Sequence, residues 1–158
     1  MELYIKQRVF TWGDRFSVYN AEGCEQFYVE GEVFTFGKKL HLYDFSGREL
    51  AFIQQRLLSF FPKFHIYRDG NAIAEVVREF ALFRQWYTVH GLDWEVEGDF
   101  TGHEYAVKNG NQPVAFVSKQ WFSWGDTYRI DIQPGVDVVA ALAVVLVIDA
   151  CIEMTQNN

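Results

Sequence analysis

Val138-Val139-Ala140-Ala141-Leu142-Ala143-Val144-Val145-Leu146-Val147-Ile148 is an unbroken run of eleven apolar residues, bounded by Asp137 and Asp149. The β-branched valines would suit a strand. The run is longer than the usual buried strand, however, and Ala140, Ala141, Ala143 and Ala150 favour a helix. Asp137 is placed to cap that helix, and Pro134-Gly135 closes whatever precedes it. At ~1.5 Å per residue the run spans roughly 16 Å, short of the ~20 apolar residues that cross a bilayer, so no transmembrane span is expected. A helix apolar on every side must be wrapped by protein. The run therefore predicts a mainly β fold, a closed barrel around a hydrophobic C-terminal helix.

The rest of the chain reads as strands. Asn20-Ala21-Glu22-Gly23, Asp44-Phe45-Ser46-Gly47, Asp69-Gly70-Asn71 and Asn109-Gly110-Asn111 join Asn or Asp to Gly, residues that tolerate the backbone of tight turns. Between the turns lie Leu3–Phe10, Arg15–Tyr19, Phe27–Glu32, Lys39–Asp44, Glu49–Gln55 and Lys63–Arg68. Then follow Ala72–Arg78, Gln85–His90, Trp94–Gly98, Glu104–Val107, Pro113–Lys119 and Thr127–Ile132, twelve strands in all. At 158 residues the chain is read as one domain, 1–158, with room for a real core. Aromatic residues make up 18% of it, which favours side chains packed on a pleated surface.

An internal repeat points to symmetry. Val29-Glu30-Gly31-Glu32 returns as Val96-Glu97-Gly98-Asp99, and Leu50-Ala51-Phe52-Ile53 as Val114-Ala115-Phe116-Val117. Leu57-Leu58-Ser59-Phe60 returns as Trp121-Phe122-Ser123-Trp124, and separately Phe10-Thr11-Trp12-Gly13-Asp14 as Phe122-Ser123-Trp124-Gly125-Asp126. Repeated strand units with one inward pattern suit a sheet that closes on itself.

The net charge of -7 weighs against nucleic-acid binding, which relies on basic residues to neutralise phosphates, and against adsorption to anionic membrane by bulk charge. It leaves room for a local basic patch. The start, Met1 to Lys6, lacks the basic segment and apolar run of a secretory signal. Cys24 and Cys151 are far apart and read as reduced thiols, so a cytoplasmic location is expected.

Leu3-Tyr4-Ile5-Lys6-Gln7, Leu57 to Tyr67, Gly91-Leu92-Asp93-Trp94-Glu95-Val96 and the ending Ala141 to Asp149 resemble the bacterial branch of the LURP-one-related proteins. That family is tubby C-terminal-domain-like and related to phospholipid scramblases. The resemblance covers essentially the whole chain and implies a barrel of about twelve strands enclosing the helix. It implies a lipid- or protein-associated role without naming a ligand. The basic residues that hold phosphoinositides in tubby domains have no mapped counterpart at Lys38, Lys39 or Arg48. The cysteine-rich segment of scramblases is missing, and Asp131, Asp137 and Asp149 are too sparse for the six to eight oxygens of a calcium site.

Candidate sites are few. Asp93, Glu95, Glu97 and Asp99 alternate with Trp94 and Val96, so period two puts four carboxylates on one strand face. The structural reading, a solvated outer face, is preferred; the functional reading is a docking stripe for a basic partner. His41, His65, His90 and His103 lack metal-ligand spacing, and no serine or cysteine sits in a nucleophile motif. Leu57 to Pro62 and Trp121 to Trp124 are either tips that touch a membrane or partner, or matched structural elements, and the repeat favours the second. Asp149 and Glu153 repel each other near a helix C-terminus. An Arg or Lys from the barrel rim is therefore expected at Asp149, unless the last turn emerges into water. The expected function is a non-enzymatic binding or scaffold module for phospholipid or protein, with no cofactor and no metal. The alternative is an enzyme whose site is scattered along the chain.

Overall fold

In the computed structural model, which describes residues 1–6, 15–32, 36–61, 63–122 and 125–156, the strands close into one antiparallel barrel. Chain order is β1 (Glu2–Lys6), β2 (Arg15–Asn20), β3 (Glu25–Gly31), β4 (Lys39–Asp44), β5 (Glu49–Arg56) and β6 (Lys63–Arg68). Then come β7 (Asn71–Ala81), β8 (Arg84–His90), β9 (Trp94–Asp99), β10 (Glu104–Asn109), β11 (Gln112–Phe122), β12 (Gly125–Ile132) and the helix α1 (Val138–Gln156). Each strand pairs with its sequence neighbours, and β1 closes the ring on β12. All twelve expected strands are present. The stretch 7–10 of the first expected strand, and the repeat unit at 10–14, lie outside the described residues.

Period two decides what fills the barrel. Leu3 and Ile5, Leu40 and Leu42, Phe64 and Ile66, Val76, Tyr87 and Val89, and Ile130 and Ile132 all point inward and are buried. The repeat falls six strands apart. Val29 of β3 and Val96 of β9 are fully buried, as are Ala51 and Ile53 of β5 against Ala115 and Val117 of β11. Phe52 and Phe116 keep the outward place in each unit.

The helix fills the lumen. Ala140 to Ile148 and Ala150 to Ile152 are buried, so over that length every face of the helix is enclosed but for the partly exposed Asp149. Asp137 caps it: its Oδ1 accepts from the Ala140 amide at 3.2 Å, and Arg68 pairs with the same carboxylate. The helix has 19 residues, longer than the apolar run alone suggested, because Cys151 and Ile152 are still inside the barrel. By length and composition it would cross a membrane, yet 67% of its apolar window is buried within the protein; it is a core helix.

A closed antiparallel ring sends successive connections to alternate ends. The helix begins at what we term the entrance end, shared with the β2–β3, β4–β5, β6–β7, β8–β9 and β10–β11 turns. Its C-terminus lies at the distal end, shared with the β3–β4, β5–β6, β7–β8, β9–β10 and β11–β12 connections.

Candidate functional site

The two ends are built from different chemistry. All four Asn/Asp-Gly turns of the sequence fall at the entrance end, where their side chains hold the backbone. Asn20 Oδ1 accepts from the Glu22 and Cys24 amides, and Asp44 Oδ1 from those of Ser46 and Arg48. The distal connections carry Phe36, Leu57, Leu58, Phe60, Phe61, Leu82 and Phe83 instead, and all of them are exposed, as is Phe80 below the tip. Met1 and Phe45 are exposed at the entrance end and Phe116 on the wall, each standing singly. The distal side chains are grouped. Phe61 stacks on Phe80 with centroids 5.6 Å apart, and Phe60 meets Phe61 edge-on at 5.5 Å. A Cβ on Gly37 would lie 3.0 Å from Leu57 Cδ2, so the β3–β4 segment abuts the β5–β6 loop.

The β7–β8 hairpin stands proud of the rim. Its pairing runs to Ala81–Arg84, whereas β6 reaches only Val77 of β7 and β9 only Tyr87 of β8. Leu82 and Phe83 alone make the turn, 85% and 99% exposed. Phe83 has φ +64°, a left-handed backbone that bulky residues rarely adopt and that Gly or Asn would occupy without strain. Two large apolar side chains at an exposed tip break local turn chemistry with no gain in packing. Such violations gather at functional sites.

Cations stand behind these tips. Arg56 and Lys63 are cross-strand partners at the base of the Leu57 to Phe61 loop. Like charges directly opposite destabilise a sheet. Among the described residues neither is in an ion pair. Arg78 lies over the Phe80 ring at 4.7 Å and Arg84 over Trp86 at 4.5 Å. Acidic residues crowd the entrance end instead, Glu22, Asp44, Glu49, Asp69, Asp93 and Asp137 among them. The net charge of -7 thus hides a polarised molecule.

Beneath the distal rim the end of α1 meets a polar collar. Lys38 Nζ lies 3.2 Å from Glu153 Oε2, both side chains largely buried. Burial pushes the Lys38 ammonium pKa down, opposed by Glu153. The basic residue expected at Asp149 therefore goes one turn further, to Glu153. Asp149 is met instead by the Tyr105 hydroxyl, which donates at 3.4 Å, and by His103 Nδ1 at 3.8 Å. Burial, then Asp149, drives the Tyr105 pKa up, and burial raises the Cys151 thiol to about 12. The helix has no basic residue in its last turn, so this collar answers its acidic end.

The acidic stripe is only partly a stripe. Glu95 and Glu97 face outward, Glu95 toward Arg84 at 3.3 Å and Glu97 toward Lys108 at 2.6 Å and Arg84 at 3.4 Å. The Lys108 hydrogen bond holds the Glu97 carboxyl below its ordinary value. Asp93 precedes the strand in a turn with φ +55°, and Asp99 ends it with Oδ1 accepting from the Gly102 amide. Gly98 has φ +144°, and a Cβ there would lie 2.5 Å from the Glu104 oxygen. That kink breaks the period on which the four-carboxylate face depended.

His41 sits between Glu32 and Glu49 at 3.1 and 3.0 Å, and His65 lies 2.6 Å from Glu75. Among the described residues no three His, Cys, Asp or Glu converge as metal ligands. A groove of about 520 Å³ on the outer wall is lined by Leu50, Phe52, Gln54 and Tyr67, with Glu49 and Asp69 at its edge. It contains no nucleophile–base pair. Of Leu57 to Phe61, four of the five residues are exposed. The side chains at 121–126 lie outside the described residues. No single turn marks the site in the sequence; its signal is that the alternate connections after β3, β5 and β7 carry exposed Phe or Leu.

The LURP-one-related family model matches residues 1–149. The chain is 35% identical over 149 residues to "Uncharacterized protein YxjI" of Bacillus subtilis (strain 168), covering 94% of this chain and 92% of that one. It is also similar to the X-ray structure of the Arabidopsis thaliana protein AT5G01750, with a TM-score of 0.66 at 18% identity, covering 94% of this chain and 89% of that one. That likeness is one of fold.

Proposed function

The chain belongs to the LURP-one-related family, and from that premise and the geometry of the distal end we propose that it is a non-enzymatic, cytoplasmic binding module. Its docking surface is the distal end of the barrel. One observation carries the reading: seven large apolar side chains stand exposed on connections at that end, with Phe80 exposed just below them. Contiguous exposed apolar surface of this kind marks interaction sites. Two unpaired cysteines, one exposed and one buried, suit a reducing compartment. The polar groups of the chain support the non-enzymatic reading: His41, His65, Asp149 and Glu153 are engaged in pairs that hold strands and helix together.

Photo-crosslinking inside cells tests the proposal. A benzophenone amino acid replaces Leu82 at the distal end, Phe45 at the entrance end or Phe116 on the wall. Crosslinked products are expected from position 82 alone. Products from 45 or 116 with none from 82 would overturn the assignment.

A further inference from the structure

We infer that the distal end seats on the surface of an anionic phospholipid bilayer, with Leu58, Phe60, Leu82 and Phe83 entering the headgroup region and Arg56 and Lys63 at the level of the phosphates. This rests on the reading of the distal end as the docking surface and names its occupant. The spacing of apolar and basic groups along the barrel axis carries the argument. Arg56 pairs with Lys63, and Lys63 with Val77 of β7, so both cations lie at the level of Val77. Ala81, at the foot of the Leu82-Phe83 tip, is four residues further along β7. Four residues are ~13 Å of strand, or roughly 10 Å along the axis once the ~35–45° tilt of barrel strands is taken out. Interfacial apolar groups sit about 5–10 Å into the headgroup and acyl boundary. Tips inserted to that depth bring Arg56 and Lys63 to the phosphates.

Charge complementarity favours a lipid surface over a protein. Two cations opposed across a strand pair, neither in an ion pair among the described residues and with only Glu75, itself hydrogen-bonded to His65, acting on Lys63, repel one another and gain from an array of anions. Arg78 and Arg84 add to the collar; Arg84 is shared with Glu95 and Glu97. The carboxylates that face this rim are largely engaged inward or sideways: Glu153 with Lys38, Asp149 with Tyr105, and Glu32 with Lys39 and His41. Glu79, within the hairpin, is the exception nearest the tip. The acidic entrance end points away from the membrane in this pose, so one orientation is selected. The helix, enclosed along its length, does not enter the bilayer; its exposed last residues, Thr155 and Gln156, lie on the membrane side.

Flotation of the full chain with vesicles tests this. One set is phosphatidylcholine, the other phosphatidylcholine mixed with phosphatidylserine. Binding to the mixed vesicles, lost in high salt and weak on phosphatidylcholine alone, is expected. The quadruple change L58S/F60S/L82S/F83S should weaken binding at least about a hundredfold, since each buried Leu or Phe is worth more than a factor of ten. The change R56Q/K63Q should weaken binding to mixed vesicles about thirtyfold, at roughly a factor of five per cation, and leave the residual neutral binding unchanged. Melting no lower than that of the parent chain serves as the control for folding. Binding to neither vesicle, or self-association through the tips in its place, overturns the bilayer as occupant and leaves the docking surface to the crosslinking result. Binding that survives the quadruple change intact overturns the docking surface itself.

Discussion

The same substitution, Leu→Ala, should have opposite consequences at Leu142 and Leu58. Leu142 is completely buried at the middle of α1, while Leu58 stands fully open at the distal rim. Truncating Leu142 removes three carbon groups from the core, about 2–2.5 kcal/mol at ~0.8 kcal/mol each. The cavity left between helix and strands adds to that, because a closed barrel cannot collapse around it, for a total of about 3–5 kcal/mol. Alanine's helix propensity returns only a few tenths of that. At Leu58 nothing is buried, and the change should stay within about 0.5 kcal/mol. Urea unfolding followed by far-ultraviolet circular dichroism reads both, and in a thermal melt the Leu142 variant should lose about 6–20 °C in Tm, at ~2–4 °C per kcal/mol. A Leu142→Ala loss below about 1 kcal/mol, or a Leu58→Ala loss equal to it, would refute the separation of a cohesive core from a docking rim.

Further outcomes follow from individual groups. Cys24 is exposed and Cys151 is buried with its thiol raised to about 12, so Ellman's reagent should titrate one thiol in the native protein and two in urea. Rapid native modification of both would place α1 outside the barrel. The hydrogen bond from His65 holds the Glu75 carboxyl below its ordinary value. A carboxyl depressed on folding contributes stability that is complete above its unfolded pKa, about 4.3, and is lost as pH falls through the lower folded one. Glu75→Gln should therefore flatten the acid limb of the stability curve below about pH 4.3 and leave the neutral slope as it was; an unchanged limb contradicts the assignment. Asp137→Ala removes both the Ala140 cap and the Arg68 pair and should destabilise by about 0.5–2 kcal/mol, read by the same urea titration.

The barrel was legible because its two strongest signals are local. Turns that join Asn or Asp to Gly bound the strands at four of the five reversals of the entrance end, and the apolar run at 138–148 fits an enclosed lumen. The helix's true length was not legible. Asp149 and Glu153 interrupt its apolar pattern, and the groups that accommodate them, Tyr105, His103 and Lys38, come from segments 44 to 115 residues away. The docking rim was hidden for a related reason. Leu57 to Phe61 and Leu82-Phe83 are unremarkable as separate pieces, and only ring closure puts them on one end with Arg56 and Lys63 behind them. Period two carried Glu95 and Glu97 to the outer face, but Asp93 lies in a turn and Asp99 ends the strand beyond the Gly98 kink, where that period no longer holds.

An environment-sensitive fluorophore placed at position 83, or at position 45 on the opposite end, addresses the docking pose most directly. Each is attached through Phe→Cys in a Cys24→Ser chain, and emission is followed as phosphatidylserine-containing vesicles are added. A blue shift at 83 with none at 45 is the predicted result. A shift at 45, or at neither position, would contradict the pose.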